Sequence, residues 1–383
     1  MALSAPLKRD DAAADRSGPP FRADHVGSLL RPAALLAARK AHALGTLTAE
    51  ALRKAEDTAI REAVRRQQEV GLQAITDGEL RRTFFHLDFL AKFAGVEVIG
   101  AQMKAQFQTG SGDANLKPPA FHIVGKIGRP APIFVDDFKF LQSVTAATPK
   151  LTLPSPSMMH FRGGRQAIDQ NVYPELGAFY ADLAAAYRAE IADLAGAGCR
   201  YIQLDEVNLA YLCDPKLADQ VRAVGEDPAS LPQTYADLIN GSLAGRPAGM
   251  TVCMHLCRGN FKSAWVAEGD YEPVADLLFN GIEVDGYFLE YDSPRAGSFA
   301  PLRFVPKGKT IVLGLVTSKR GTLESKDELK RRIEEAARYV PLDQLALSPQ
   351  CGFASTVEGN DLGIEEQYRK LQLVVETAAE VWH

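Results

Sequence analysis

Short apolar runs alternate with longer amphipathic segments along most of the chain. The apolar runs have the length of buried strands and are followed by polar residues. They predict strands within 23–32, 72–76, 150–153, 200–204, 249–254, 285–289, 310–313 and 344–347. The segments with helical periodicity and end signals predict helices at 48–70, 176–197, 232–243, 272–279, 326–339 and 364–381, and a further helix near Phe84.

Strands that alternate with helices indicate parallel pairing through right-handed crossovers. Counted from Ala23, the pattern contains the eight strands of a closed (β/α)8 TIM barrel. No Gly-x-Gly-x-x-Gly motif follows the first strand to favour a doubly wound dinucleotide-binding fold. The segment at about 95–148 breaks the alternation and predicts a β-hairpin insertion after the second βα unit. We expect a disordered arm at 1–20 and one barrel domain at 21–383.

Composition narrows the function classes. The chain has 383 residues, of which 46% are hydrophobic and 24% are charged, as in a globular protein with a large core. A net charge of −5 gives no basic surface for nucleic acid. No run reaches the roughly 20 apolar residues of a membrane helix. Five cysteines are too few for a disulfide framework, which predicts a reducing, cytoplasmic compartment. The oligomeric state stays open, and a homo-oligomer is compatible with the sequence.

The residues with reactive side chains fall at the carboxyl ends of the predicted strands. They are Ser28, Glu79, Asp205, His255, Cys257, Glu290 and Cys351. In a (β/α)8 barrel these strand ends share one mouth, which is where catalysis takes place. The pattern therefore predicts one site that is assembled from distant parts of the chain.

Four of these residues form a candidate metal site. His255 and Cys257 are two positions apart in an extended segment, so their side chains point to the same side. With Glu290 and Cys351 they offer one nitrogen, two sulfurs and one carboxylate, a set that suits zinc. Four protein ligands are typical of a structural zinc. A carboxylate is nevertheless more easily displaced than a thiolate, so an incoming thiol could bind the metal and become a nucleophile.

The remaining residues suggest a polar substrate. Glu79 and Asp205 could act as acid and base, or could hold an ammonium group beside the metal. Arg258 follows Cys257 directly and could receive an anionic group. A thiol that also carries an amine fits this combination.

Several ordered motifs resemble the cobalamin-independent methionine synthase superfamily, in its short, single-barrel branch. The matching stretches are 25–28 (HVGS), 76–79 (TDGE), 202–206 (IQLDE), 255–257 (HLC), Glu290 and 351–352 (CG). The resemblance implies a (β/α)8 barrel with catalytic zinc on His255, Cys257, Glu290 and Cys351. It also implies a homocysteine site at Ser28, Glu79 and Asp205. The implied reaction gives methionine by in-line methyl transfer to a zinc-bound thiolate.

The sequence departs from the long members of that family in three respects. It lacks their N-terminal barrel. The segment 154–160 (PSPSMMH) occupies the place of the Trp that stacks on folate in the family. Lys319 stands where the family has a His that acts as the acid. We assign the catalytic position to Lys319, and the methyl donor stays open between methyltetrahydrofolate and a methylated corrinoid. One alternative is alkylation of another thiol such as coenzyme M, whose sulfonate Arg258 could bind. The other is a non-catalytic zinc barrel that binds a thiol or a corrinoid.

Overall fold

The computed structural model describes residues 18–99, 105–109, 112–116 and 120–382, with the backbone alone for 105–109 and 112–116. The α-helices of these residues are α1 Ala33–Ala43, α2 Ala49–Glu69, α3 Leu87–Leu90, α4 Val135–Val144, α5 Leu176–Gly196, α6 Asn208–Tyr211, α7 Pro215–Ala223, α8 Leu231–Leu243, α9 Lys326–Ala336 and α10 Ile364–Val381. The strands are β1 Ala74–Ile75, β2 Ala94–Ile99, β3 Ala105–Thr109, β4 Gly112–Leu116, β5 Ala120–Gly128, β6 Thr148–Pro149, β7 Leu151–Pro154, β8 Tyr201–Glu206, β9 Thr251–Leu256, β10 Gly286–Glu290, β11 Thr310–Val316 and β12 Leu345–Pro349.

A parallel sheet forms the centre of the molecule, in the order β12-β11-β10-β9-β8-β7. β1 pairs in parallel with β6, and β6 leads directly into β7. At the other edge Ala23 forms a parallel bridge with Leu347 of β12. The predicted α/β class with a parallel sheet is confirmed, and the predicted site residues, including Arg258 and Lys319, lie at or just after the carboxyl ends of these paired segments.

The packing of the sheet explains why its strands are apolar throughout. β8, β10, β11 and β12 are buried at every position, as is typical of parallel strands whose two faces are both covered. One core cluster takes members from nearly every parallel segment: Phe21, Val26, Ala74, Tyr201, Cys253, Phe288, Val312 and Ala346. Beside it the ammonium of Lys150 lies 3.0 Å from a carboxylate oxygen of Asp24 and 4.0 Å from the ring centroid of Phe288. These contacts tie the sheet together at the end opposite the site.

Some predicted elements differ from the structure. Helix α4 lies inside the predicted insertion at 95–148, because Val135, Phe138 and Leu141 bury a helical face. The predicted helix at 272–279 is a 3-10 turn, Glu272–Val274, followed by a π-helix, Leu277–Gly281. Helices α1 and α7 were not predicted.

The hairpin region contains two antiparallel pairs, β2 with β5 and β3 with β4. Residues 1–17 of the predicted arm lie outside the described residues. Among the helices that are described, none is long and apolar enough to cross a membrane.

Candidate metal centre and substrate cavity

One cavity opens at the carboxyl ends of the parallel strands. The residues that line it come from the loops after most of these strands: Val26, Ser28, Glu79, Phe84, Phe85, His86, Arg162, Asp205, Val207, Tyr211, His255, Cys257, Gly259, Asn260, Phe261, Cys351, Ser355 and Thr356. The structure thus brings six of the predicted site residues to one cavity, and a carboxylate oxygen of Glu290 lies within 4.8 Å of the sulfurs of the cysteine pair.

The four predicted metal ligands form a single buried cluster. One ligand atom from each of His255, Cys257, Glu290 and Cys351 lies within 4.8 Å of the other three. The two cysteine sulfurs are 3.6 Å apart, and Nε2 of His255 is 3.4 Å from Sγ of Cys351. A tetrahedral zinc with ordinary bond lengths would require about 3.8 Å between two sulfurs and about 3.6 Å between nitrogen and sulfur. The nitrogen and the two sulfurs therefore fit zinc in both type and spacing, and the carboxylate of Glu290 lies within 4.8 Å of them as the fourth possible ligand.

Hydrogen bonds behind the cluster fix the direction of its ligands. Nδ1 of His255 lies 3.2 Å from the carbonyl oxygen of Phe288, so Nε2 is the nitrogen that faces Cys351. This is the usual arrangement of a metal-binding histidine, whose second nitrogen donates to a backbone oxygen. The backbone N–H of Gly259 donates to Sγ of Cys257 at 3.3 Å, which favours the thiolate form.

Glu290 is held by two donors. The backbone N–H of Arg258 donates to its Oε1 at 3.0 Å, and Arg295 donates to its Oε2 at 3.1 Å. Burial raises the pKa of Glu290, but Arg295 and Lys319 outweigh it and leave the pKa below its usual value. The carboxylate is thus ionised and shares its lone pairs with other partners, which makes it the weakest of the four ligands.

The proton distribution in the cluster also indicates a cation site. Hydrogen bonding from Cys257 and the nearby imidazole of His255 hold the pKa of Cys351 well below its usual value, although burial opposes them. Burial lowers the pKa of His255, but the thiolate of Cys351 reverses this and raises it to about 9. The pKa of Cys257 is raised, first by its hydrogen bond to Cys351. Without a metal, the negative charge of Cys351 and of Glu290 is balanced by a proton on the imidazole of His255, and Cys257 keeps its proton. A divalent metal would replace these protons.

Two carboxylates, those of Glu79 and Asp205, line the same cavity as the sulfurs. Oε1 of Glu79 accepts from the hydroxyl of Thr152 at 2.7 Å, while the buried Oε2 has no partner among the described residues. Asp205 lies beside His255 in the register of β8 and β9 and accepts from Gln203 at 2.7 Å. Burial, followed by repulsion from Glu79, raises the pKa of Asp205 to about 7. An incoming cation would relieve both the repulsion and the unpaired oxygen.

Ser28 reaches the cavity through a very close backbone approach. The hydroxyl oxygen of Ser28 lies only 1.9 Å from the position that a Cβ on residue 352 would occupy. The N–H of Phe353 donates to the carbonyl of Ser28 at 2.9 Å, and Asn260 donates to the carbonyl of Gly352 at 2.7 Å. Only glycine allows this contact, which ties Ser28 to the loop that carries Cys351.

Two predicted residues do not reach the cavity. The buried guanidinium of Arg258 donates to the hydroxyl of Tyr271 at 2.7 Å and to the carbonyl of Glu290 at 3.1 Å. The ammonium of Lys319 lies 3.1 Å from Oδ1 of Asn260 and 3.3 Å from the carbonyl of Ala264. Both side chains therefore support the loop after β9 and the metal ligands from behind.

Sequence patterns predict no role for several aromatic and basic side chains of the cavity lining. Phe84, Phe85, His86, Arg162 and Tyr211 all line the cavity. All but Tyr211, which ends the short helix α6, lie in loops without periodicity, and the only signal in the sequence is the position of 84–86 soon after the strand that precedes Glu79. The prediction near Phe84 was a helix, whereas the structure has only the single turn of α3.

Comparison with known proteins identifies relatives of the whole chain. The model of the family "Cobalamin-independent synthase, Catalytic domain" matches residues 21–380. The uncharacterized protein YxjH of Bacillus subtilis is 47% identical, over 95% of this chain and 95% of its own length. The methionine synthase of Saccharolobus solfataricus is 26% identical, over 90% of this chain and 95% of its own length.

Two solved structures share the architecture. A protein of Listeria monocytogenes, provisionally named a vitamin-B12 independent methionine synthase, is 40% identical with a TM-score of 0.73 and covers 95% of this chain and 98% of its own. A B12-independent methionine synthase of Shewanella sp. W3-18-1, solved with selenomethionine, has a TM-score of 0.67 at 21% identity and covers 93% of this chain and 96% of its own. The second shows the fold alone.

Proposed function

Because the chain belongs to the family of cobalamin-independent methionine synthase catalytic domains, we propose that it transfers a methyl group to the thiol of homocysteine and produces methionine. We further propose that zinc is its resident metal, held by His255, Cys257, Glu290 and Cys351. Zinc, when bound, would lower the pKa of a substrate thiol and keep it ionised at neutral pH.

The observation that supports this proposal is that the cysteine cluster shares its cavity with Glu79, whose Oε1 binds Thr152 and pairs with Arg82 while its Oε2 has no hydrogen-bond partner among the described residues. This Oε2 is buried, and burial, followed by repulsion from Glu79, raises the pKa of Asp205. A buried acceptor of this kind costs free energy until a donor arrives. The ammonium group of an amino acid is such a donor, and a side-chain thiol would extend from it toward Cys257 and Cys351.

The residues of the chain divide the work between binding and orientation. Glu79 and Asp205 hold the ammonium group, and the hydroxyl of Ser28 lies within the same cavity to receive a polar group of the substrate. Glu290, whose carboxylate already accepts from Arg258 and Arg295, would be the weakest holder of the metal among the four residues. The sulfur forms a bond to the methyl carbon while the bond from that carbon to the donor breaks, and the donor keeps the electron pair.

The unpaired oxygen of Glu79 also favours an amine over a sulfonate. A thiol such as coenzyme M would bring a negative charge toward two carboxylates, which is unfavourable in a buried site. The guanidinium of Arg258, which could have received that charge, is occupied by Tyr271 and backbone carbonyls behind Glu290. We therefore keep homocysteine as the proposed acceptor.

We also propose that the parallel segments close into a (β/α)8 barrel and that β2 to β5 form a hairpin insertion. Two contacts across the remaining edge support closure. The N–H of Leu29 donates to the carbonyl of Gly78 at 2.9 Å, and Nε2 of His25 lies 3.2 Å from the carbonyl oxygen of Ala74. The shared core cluster of the parallel segments supports it as well.

The test is a turnover assay with homocysteine and, in turn, methyltetrahydrofolate and methylcobalamin as donors. Methionine should form with at least one donor, disappear after removal of the metal by a chelator, and return with added zinc. Cys257→Ala protein should contain no zinc and show no turnover. Full turnover by folded, zinc-free Cys257→Ala protein would refute the metal's role, and failure with every donor would refute the methyl transfer.

A further inference from the structure

One wall of the cavity, formed by Phe84, Phe85, His86 and Arg162, contains a histidine that the function proposed above does not use. His86 is 2% exposed, lines the cavity and, among the residues that the structure describes, has no hydrogen-bond partner for either ring nitrogen. A buried imidazole without partners has lost the hydrogen bonds that water would give it. Such groups call for an explanation, and a ligand that provides the missing bonds is one.

Aromatic rings fix the orientation of this imidazole. The ring centroid of Phe85 lies 4.7 Å from that of His86, and the centroids of Phe84 and Phe121 lie 6.1 and 6.0 Å away. The partly buried Arg162 lines the same wall. Burial and the charge of Arg162 lower the pKa of His86 well below its usual value, so the ring is neutral and has one N–H donor and one acceptor nitrogen.

The loop that carries His86 is attached to the loop that carries Cys351. The N–H of Phe85 donates to the carbonyl of Ser355 at 3.0 Å, and Phe84 forms an antiparallel bridge with Thr356. Asp88 accepts from the N–H groups of Thr83 and Phe84 at 2.9 and 3.0 Å. These hydrogen bonds hold the loop of His86 in place, and they fix the distance between His86 and the candidate metal ligands.

We propose that His86 binds the methyl-carrying second substrate by donating a hydrogen bond to a carbonyl or carboxylate oxygen of that molecule. The guanidinium of Arg162 adds positive charge to this wall, which favours a neutral or anionic donor and disfavours a sulfonium cation. The aromatic rings of Phe84, Phe85 and Phe261 offer the apolar contact for the body of the donor. This inference rests on the proposed function, since it needs the metal cluster as the place where the acceptor sulfur stands.

Two analogues test the inference without knowledge of the natural donor. S-(3-carboxypropyl)homocysteine and S-butylhomocysteine share the amino-acid part and differ in a terminal carboxylate that extends from the sulfur. Calorimetry with the zinc-loaded protein should show about tenfold or more tighter binding of the carboxylate analogue, as expected for a hydrogen bond to a charged acceptor. His86→Phe should remove that difference and leave the affinity for S-butylhomocysteine unchanged.

Matched variants separate a binding role from a structural one. His86→Gln keeps an N–H donor and should retain part of the difference, and His122→Phe, on β5 outside the cavity lining, should retain all of it. His86→Phe removes unpartnered nitrogens from a buried site, so its melting temperature should equal or exceed that of the wild type. A melting temperature well below that of the wild type would show that His86 is structural.

The outcomes distinguish this inference from the proposed function. Equal affinity of the two analogues for the wild type, or a difference that persists in His86→Phe, overturns the role of His86 and leaves the amino-thiol site intact. If neither analogue binds and homocysteine does not bind either, the amino-thiol site itself is refuted, and the inference fails with it.

Discussion

The sulfur atoms of Cys257 and Cys351 lie 3.6 Å apart although 94 residues separate the two cysteines in the chain. Each follows a different strand, β9 or β12, and β10 and β11 lie between these strands in the sheet. Side chains that follow strands separated by two others can meet only because the loops after the strands turn inward over the sheet. The cysteine pair is therefore a product of the tertiary fold, and its purpose must be sought in what the two sulfurs hold together.

We predict that Cys351→Ser weakens zinc binding at least about a hundredfold. Loss of a group behind a metal ligand costs 10- to 100-fold in affinity, so loss of a ligand should cost at least as much. Competition with a chromophoric chelator measures the effect. Cys199→Ala is the matched control, because Cys199 is buried before the amino end of β8, whereas the cluster lies at the carboxyl ends of the strands. Equal zinc affinity of Cys351→Ser and the wild type would contradict the ligand set.

The parallel fold and the metal cluster followed from local patterns. Apolar runs that end in polar residues predict both the strands and the edge at which the strand ends meet. The sequence alone therefore predicts that His255, Glu290 and Cys351 lie close together. The rule that side chains alternate along an extended chain also gave the pairing of His255 with Cys257. The same rule places Arg258 on the opposite side from Cys257, and the structure shows it there.

Other features could not be read from the sequence. The direction of Lys319 depends on carbonyl groups of the loop after β9, which no local pattern specifies. His86 lies in a loop where neither periodicity nor spacing indicates which side chains face the cavity. Helix α4 was missed because alternating apolar residues before it extended the apparent strand pattern past residue 128. In each case the deciding contacts join segments far apart in the sequence.

We predict that Glu79→Gln weakens homocysteine binding by roughly 10- to 150-fold, the range expected for one hydrogen bond to a charged group. The change keeps the shape of the side chain and removes the charge that would face the ammonium group. Isothermal calorimetry with zinc-loaded protein gives the affinity. 3-Mercaptopropionate, a thiol without an amine, is the internal control, and its affinity should not fall. An equal loss for both thiols would show that Glu79 shapes the site without binding the amine.

We predict that metal-free protein binds methionine more tightly as the pH rises through about 7. Burial and the repulsion of Glu79 raise the pKa of Asp205 to about 7, so below that pH the side chain is protonated and cannot pair with an ammonium group. Above it the carboxylate is ionised and attracts the ligand. Methionine has no thiol to titrate, and chelator treatment removes the effect of the metal's charge. Asp205→Asn should bind weakly and show a smaller change over pH 5.5–8.5 (roughly 1.5 units either side of the midpoint), whereas an unchanged profile would assign the inflection to another group.

We predict that Gly352→Ala destabilises the protein by about 1–3 kcal/mol, the usual range for an overpacked interior. The added methyl would stand 1.9 Å from the hydroxyl of Ser28, closer than any real contact. Its other near neighbours belong to the same residue, since the Cβ and N of Ser28 lie at 3.2 and 3.4 Å. Denaturant unfolding gives the free energy change, and homocysteine affinity should fall as well, because Ser28 must move.

A second substitution tests whether the clash with Ser28 is the cause. Ser28→Ala removes the hydroxyl that the new methyl would meet and leaves contacts that are tight but tolerable. The double variant Ser28→Ala/Gly352→Ala should therefore be more stable than Gly352→Ala alone, even though two mutations usually add their costs when the sites are independent. It should not regain homocysteine binding, because the hydroxyl is lost. The contrary result is a double variant that is less stable than Gly352→Ala by the full cost of Ser28→Ala. In that case the two residues are not in the contact described. Other atoms must then form the link between the first parallel segment and the loop of Cys351.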